Sequence, residues 1–424
     1  MPTITKQIYL DNASTTFPKP QEVAEAVYQY MTGVGSNIGR GGYASAYAAE
    51  DLVFEARQLL CDFFHAEDAK NVVFTKNVTE ALNIIIRGLF HSGEHILTTA
   101  MEHNAVMRPL QLLGAEISVS EPLPIDKLSF TRIPCDSEGN LLLSDLPKLL
   151  RPETKAIIMT HASNVCGTVM PIEQVGAFCA EHGLIFIVDS AQSAGVLPID
   201  MQSMHIDALC FTGHKGLLGP QGIGGFILLE HMVDKVAPLI VGGTGSVSHT
   251  EKIPRFMPDK FEAGTLNLPG ISGLAAGLRW LRKQAIDKLR EHELKLTQAF
   301  LTGLAPLEAQ GLLRIVGRRD LQSRTSVVSI TTEAISKPTL GKINKAEACT
   351  PSERVPIDIA LLAHTLSQAY GIATRVGLHC APNAHKTLGT YPTGTVRFSF
   401  GWSNTLDDVN YALKALEEVL KHGV

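Results

Sequence analysis

The chain has 424 residues, with 37 basic against 42 acidic side chains and a formal charge of −5, a balance that carries no footprint of a nucleic-acid or anionic-membrane partner. Apolar residues are 45% and charged residues 19%, which excludes disordered and fibrous classes. At roughly 150 residues per domain the length predicts two or three domains, and no apolar run approaches the roughly 18 to 20 residues of a membrane span.

The first seven residues hold one base and no apolar h-region, so no signal peptide is expected. After Pro20, Val23, Ala26, Val27 and Tyr30 form the i, i+3, i+4, i+7 stripe of an amphipathic helix. A longer helix from about Tyr43 is expected to bury Leu52, Ala56, Leu59, Leu60 and Phe63. Val72–Thr75 predicts a strand, and Asn77 to about Phe90 a helix, with Asn77 as N-cap and Glu80 at the capping-box position. Further strands are expected at Ile96–Thr99, Ile117–Val119, Ala156–Thr160, Leu184–Val188, Ala208–Phe211 and Gly225–Leu229. Helical patterns lie between them near Ala105–Leu113, Ser144–Leu150 and Pro171–His182.

Wholly apolar strands that alternate with helices predict an α/β fold with a mostly parallel sheet flanked by helices on both faces. Ligands of such folds bind beyond the carboxyl ends of the strands. Ile271–Leu289 and His292–Leu304 then predict a helical connection into a smaller α+β C-terminal domain, built from Val327–Thr331, Ile357–Tyr370, Thr395–Phe400 and Leu406–Leu420. Three segments are expected: residues 1–20 packing near the active site, 21–268 as the large domain and 269–424 as the small one. The polar stretch Ser336–Val355 predicts an exposed loop.

Seven cysteines (61, 135, 166, 179, 210, 349 and 380) occur without any C-x-x-C, so neither a disulfide framework nor a zinc ribbon is predicted. Reduced thiols in a cytoplasmic protein are expected, most of them inert core residues.

The strand ends carry the chemistry. Asp189 closes an apolar strand. It suits a helix N-cap, or a carboxylate in low dielectric awaiting a protonated ring nitrogen. Lys215 follows an apolar strand and precedes five glycines in ten residues. Glycines allow close ligand approach, and a partly desolvated lysine can lose its proton and form a Schiff base. Thr79 opens a helix after a strand, where free N–H groups and the helix dipole favour a phosphate, and Thr212 and His214 supply further donors. His103 starts another helix and suits a cap. A lysine nucleophile, an acid for a ring nitrogen and helix-start phosphate donors are together what pyridoxal 5'-phosphate requires.

At these residues the chain resembles the class V branch of the fold-type-I pyridoxal-phosphate enzymes, and specifically the cysteine desulfurase family. The likeness runs through Tyr9–Thr16, Asn77–Asn83, Met101–Asn104, Ala162–Gly167, Val188–Gln192, Gly213–Lys215 and Phe261–Thr265. It implies Lys215 as the Schiff-base lysine, Asp189 on the pyridinium nitrogen, His103 stacked on the ring and Gln192 at its phenolic oxygen. Thr79, Thr212 and His214 would bind the phosphate, and Thr265 would reach the phosphate of a neighbouring subunit, which implies a homodimer. Asn164 would contact cofactor and substrate. Thr374–Pro382 resembles the loop that bears the nucleophile and places it at Cys380; Arg397 would hold the substrate α-carboxylate, with Arg375 in support.

Gly377 and Pro382 mark a loop around Cys380, and His379 and Arg375 are expected there as cationic or polarising neighbours that favour thiolate. The implied reaction takes L-cysteine to L-alanine and leaves a persulfide on Cys380 for a sulfur-acceptor protein; Lys215 shuttles protons and His103 relays one. No nucleic acid, membrane or metal is implied. Two departures bear on the acceptor: Leu378 stands where a family subgroup carries a second histidine, and residues 383–392 follow no family pattern. Cys166, two residues after Asn164, suits packing, with a redox-sensitive second thiol as the other option. Selenocysteine lyase is the nearest rival activity; an aminotransferase or kynureninase-like hydrolase would not need Cys380, and a non-catalytic scaffold would form no Schiff base.

Overall fold

The computed structural model describes residues 7–39, 41–118, 120–332 and 357–422. The loop expected at Ser336–Val355 and Cys349 lie outside them. In chain order, β1 (Ile8–Tyr9) precedes α1 (Gln21–Gln29), a π-helical turn over Tyr30–Val34 and α2 (Ala44–Phe63). There follow β2 (Val72–Thr75), α3 (Val78–Leu89), β3 (His95–Thr99), α4 (Asn104–Leu113), β4 (Gly114–Glu116), β5 (Leu128–Ile133) and α5 (Leu146–Leu149). Next come β6 (Thr154–Thr160), α6 (Ile172–His182), β7 (Ile185–Asp189), β8 (Ala208–Thr212) and β9 (Gly224–Leu228).

These strands form one eight-stranded sheet in the order β2-β9-β8-β7-β6-β3-β5-β4. Alternation along each strand splits its apolar residues between two cores. Leu97, Ile157, Met159, Phe186, Val188 and Phe211 face one; Ile96, Ile158, Ile187 and Cys210 face the other. Helices cover both faces, so the central strands are buried throughout. β9 is antiparallel to both neighbours, because the short glycine-rich link after β8 holds no crossover helix. The remaining pairings are parallel, as expected of the sheet as a whole.

Beyond it lie α7 (Leu268–Gln284), α8 (Ile286–Ala309), β10 (Arg314–Val316), β11 (Val327–Thr331), α9 (Ile359–Tyr370), β12 (Ile372–Ala373), β13 (Arg375–Gly377), α10 (Pro382–Thr387), β14 (Thr395–Ser399) and α11 (Leu406–His422). β10-β11-β14-β13 form an antiparallel sheet that packs with α8, α9 and α11 around a third core. β1 pairs in parallel with β12 in a separate two-stranded sheet, so the N-terminal strand is joined to the C-terminal domain, and Ile8 and Leu10 belong to that third core.

The structure corrects four sequence expectations. The strand expected at Ile117–Val119 ends at Glu116, and Val119 lies outside the described residues. β5 was not anticipated, because Ser129, Thr131 and Arg132 interrupt its apolar run. Ser129 and Thr131 are nevertheless buried, with their hydroxyls bonded to the carbonyls of Glu94 and Ile117. α2 buries Ala49, Val53, Ala56, Leu60 and Cys61, a stripe rotated from the expected one, leaving Leu52, Leu59 and Phe63 half-buried at its edge. Finally, the boundary at 268/269 falls one helix before the change of core. α7 packs with the large domain, and the chain crosses at Ala285, whose φ of 64° breaks α7 from α8.

Candidate active site

The carboxyl ends of β6, β7 and β8 lie side by side, with Thr160 opposite Asp189 and Asp189 opposite Cys210. Asp189 is buried, and its Oδ1 accepts the Ala191 N–H at 2.9 Å. Burial raises its pKa, while the Ala191 N–H and Lys215 oppose the shift. A carboxylate in this position gains strongly from a cation in contact with it.

Lys215 stands three residues beyond β8, in a turn closed by Gly213 N–H to the Ile223 carbonyl (2.9 Å) and Gly219 N–H to the Gly213 carbonyl (2.8 Å). A Cβ on Gly216 would lie 2.4 Å from the Ala194 carbonyl oxygen, so only glycine lets this turn press against the one that follows Asp189. Burial pulls the Lys215 pKa down to about 8; Asp189 and Asp11 oppose this, and Arg397 and Arg375 add to it. The free amine is thereby brought within reach of neutral pH. The N-terminal segment clamps the same turn. Thr16 N–H, Thr15 Oγ1 and Lys19 Nζ donate to the His214 carbonyl, Thr16 Oγ1 donates to the Lys215 carbonyl at 3.0 Å, and Gln192 Nε2 donates to Ala13 O at 3.0 Å.

Thr212 Oγ1 and His214 Nδ1 are buried without a hydrogen-bond partner among the described residues. Thr212 pairs with Gly224, where a Cβ would lie 2.8 Å from the Asn77 backbone, so the start of α3 sits against Thr212. Asn77 caps that helix by accepting the Glu80 N–H at 3.0 Å, and Glu80 reaches back to the Lys76 N–H, one residue further than the expected box. Thr79 is exposed in the first turn. His103 is the N-cap of α4, its Nδ1 accepting the Ala105 N–H at 3.0 Å. Burial first, then Lys215 and three arginines, hold its pKa down to about 4, so the ring is neutral at pH 7.

Cys380 is exposed, and both it and His379 have left-handed backbone (φ 58° and 48°). Non-glycine residues occupy this region at a cost of about 1 kcal/mol each, so the turn must be held from outside. Asn164 Nδ2 donates to the His379 carbonyl at 2.7 Å, the Asn104 N–H to the Cys380 carbonyl at 2.8 Å, and Asn383 Nδ2 to Ala100 O at 2.8 Å. His379 is not the cationic neighbour that the sequence suggested. It is buried with Nε2 against Thr395 Oγ1 at 2.9 Å, and desolvation pushes its pKa down to about 2. The 383–392 stretch without a family pattern begins as α10, which follows the cysteine directly.

Arg397 lies on β14 opposite Arg375 on β13. Its side chain is 3% exposed; Nη2 meets Asp11 Oδ1 at 2.9 Å and Nη1 donates to the Asn164 carbonyl at 2.9 Å. Arg375 Nη1, half-exposed, stands 3.8 Å from Asp11 Oδ2. Cys166 is fully buried, its Sγ 3.2 Å from Thr168 Oγ1, a packing position. Thr265 is exposed and lines three cavities, none of which includes Lys215, Asp189 or Thr212. Asp11 and Asn104 were not anticipated as site residues, although both lie inside the quoted motifs.

A profile of the aminotransferase class-V family matches residues 8–412. A probable cysteine desulfurase of Pyrococcus abyssi is 34% identical over 99% of this chain and 96% of its own length. The apo structure of a cysteine desulfurase from Thermococcus onnurineus superposes with a TM-score of 0.83 at 33% identity, covering 98% of this chain and 95% of that one. An Escherichia coli cysteine desulfurase in its S-sulfonic acid form gives 0.79 at 26% identity, with the same coverage of each chain.

Proposed function

The chain belongs to the aminotransferase class-V family and within it to the cysteine desulfurases, and from that premise we propose that it converts L-cysteine to L-alanine and retains the sulfur as a persulfide on Cys380. The observation that carries this reading is an exposed thiol held in a left-handed turn by Asn104 and Asn164. A fold-stabilising cysteine would have no use for such a turn.

The residues present fit pyridoxal phosphate. Thr212 Oγ1 and His214 Nδ1 are buried polar atoms without partners among the described residues, beside a helix start that offers N–H groups to a phosphate. Asp189 is a buried carboxyl suited to a protonated ring nitrogen, and His103 is a neutral ring suited to stacking. Gln192 and Asn164 would complete the polar edge, with Lys215 as the covalent anchor. When bound, the cofactor supplies an electron sink for charge developing at the substrate α-carbon.

The chain's own groups do the rest. Arg397, supported by Arg375, orients the substrate by its α-carboxylate. Lys215, whose amine is released near neutral pH, takes the α-proton and returns one to carbon. His103 Nε2 is free to relay a proton, since Nδ1 is engaged as acceptor. The Cys380 thiolate attacks the substrate sulfur: an S–S bond forms, the C–S bond breaks, and its electron pair stays on the substrate carbon, which takes up a proton. Carbon is reduced, the two sulfurs are oxidised, and cysteine plus thiol equals alanine plus persulfide. Thr265, which lines no cavity with Lys215, supports the reading of a homodimer in which it serves the neighbouring site. A reductant or acceptor protein then takes the persulfide sulfur.

The test incubates purified holoenzyme with L-cysteine and a reductant. Equal yields of alanine and sulfide that vanish in Cys380→Ala are expected. Full alanine production by Cys380→Ala would overturn the reading.

A further inference from the structure

At the break between α7 and α8, where the chain crosses from one domain to the other, the structure leaves an open cavity of about 430 Å³. Its lining comes from α2, the segment between β7 and β8 and the two helix ends, with Leu59, Phe63, Met204, Leu278 and Leu281 as apolar walls. Folded chains leave few apolar voids of this size, and water gains few hydrogen bonds in one. The volume is that of a small-molecule site. Leu281 also lines the crevice that holds Lys215, so the cavity backs onto that crevice without containing Lys215, Asp189 or Cys380.

The polar groups of the lining are mostly acidic. Asp62, Asp200 and Asp287 stand against Arg282 and His65, so the balance is acidic by one charge even with His65 protonated. Asp200 is held in place. Its Oδ1 accepts the Gln202 and Ser203 N–H groups, each at 3.0 Å, and its Oδ2 lies 3.6 Å from His65 Nδ1. The Ser203 N–H above all keeps its pKa below the usual carboxylate value. The Asp62 carboxylate accepts from the neutral Gln58 amide at 2.7 Å. Asp287, in the first turn of α8, forms no hydrogen bond or ion pair among the described residues, although Arg290, outside the lining, feels its charge. Two of the three carboxylates therefore have no cation in contact.

We propose that this cavity binds a small organic cation, an ammonium group carried on one aromatic or branched aliphatic body. The apolar body covers the leucine and phenylalanine walls and releases the water on them. The charge is drawn to Asp62 and Asp287, and beside an apolar wall that attraction is screened less than in open water. An anion of the same shape meets net repulsion instead. The site is separate from the proposed reaction and does not depend on it.

Benzyltrimethylammonium is the probe, because it has the required body and charge and, lacking an N–H, forms no Schiff base. Benzyl alcohol is the neutral counterpart. Binding of each to the holoenzyme is followed by ligand-detected NMR titration at low ionic strength. The wild type is expected to bind the cation with a dissociation constant of about 1 mM or tighter, and at least about tenfold more tightly than benzyl alcohol. Leu59→Trp, which fills the cavity from a half-buried position on α2, should weaken the cation at least about tenfold. Met204→Trp fills it from the segment between β7 and β8 and takes its place if the first variant does not fold. Asp62→Asn combined with Asp287→Asn should cut the preference for the cation at least about fivefold and leave benzyl alcohol binding unchanged, while the paired Asp→Glu variant keeps the preference. No binding of the cation, or binding that both tryptophan variants leave intact, would overturn the proposal. Equal affinity for the cation and benzyl alcohol, or a preference that survives the paired Asp→Asn variant, would show an unselective apolar pocket and would overturn it as well.

Discussion

The backbone N–H of Asn104 donates to the carbonyl of Cys380 at 2.8 Å, one residue after the histidine that caps α4. One helix start therefore brings together His103 and Cys380, which are 277 positions apart in sequence. The bond uses a first-turn N–H that has no partner within the helix. It also offsets part of the strain of two consecutive left-handed residues.

Asn164 supplies the side-chain half of that restraint. Asn164→Ala removes the 2.7 Å bond to the His379 carbonyl but keeps the backbone carbonyl that accepts from Arg397. Steady-state kinetics should show alanine formation from cysteine slowed by at least about tenfold in kcat, with KM within a factor of about three, since a misplaced nucleophile costs rate rather than affinity. A change confined to KM would contradict the positioning role.

Glu102 is fully buried beneath the site, accepting from the Thr99 hydroxyl at 2.5 Å and from the Thr160 N–H at 3.0 Å. Burial raises its pKa from 4.5 to about 8 despite those bonds, and Asp189 adds to the rise. The folded protein thus keeps a proton that the unfolded chain releases, so this group's stabilising contribution is complete below pH 4.5 and is lost as the pH climbs through 8. Glu102→Gln cannot ionise. In urea titrations of the two proteins without cofactor, the variant's stability relative to wild type should rise between pH 4.5 and 8, by at least about 1 kcal/mol, and level off above. A pH-independent difference would refute it.

Arg57 and Glu262 form a buried ion pair that lines the same cavity as Thr265. Arg57 Nη1 and Nη2 meet Glu262 at 2.9 and 2.5 Å, and Glu262 Oε1 also accepts the Phe74 N–H at 2.7 Å. Removing one partner strands a buried charge, so Glu262→Ala should destabilise by about 3–5 kcal/mol in chemical denaturation. Pairing it with Arg57→Met should recover part of that loss.

Ala285 breaks α7 from α8 with φ 64° and ψ 119°, a conformation that penalises a Cβ. Ala285→Gly should raise stability by about 0.5–1 kcal/mol, the strain relieved outweighing the extra chain entropy. A drop in melting temperature would show that the strain is not felt.

Asp189 and Lys215 could be found from sequence because apolar strands end where polar residues begin, and the parallel α/β pattern says which ends matter. Cys380 and Arg397 needed the family likeness, since one thiol in seven and one arginine in a short strand carry no local signal. The charge state of His379 was misjudged because burial cannot be read from a loop-like string. Its neutrality follows from burial, to which Arg397 on β14 adds. Asp11 was passed over for a related reason, as its partner Arg397 lies 386 residues away.

By itself the sequence determined the alternation of strands and helices and which polar side chains stand at the strand ends, since these depend on short-range pattern and side-chain chemistry. The tertiary structure decided which groups are charged, which carboxylate faces Arg397 and how Cys380 is held. Those outcomes depend on burial and on hydrogen bonds between segments hundreds of residues apart, and both arise only when the two domains and the N-terminal strand close on one another.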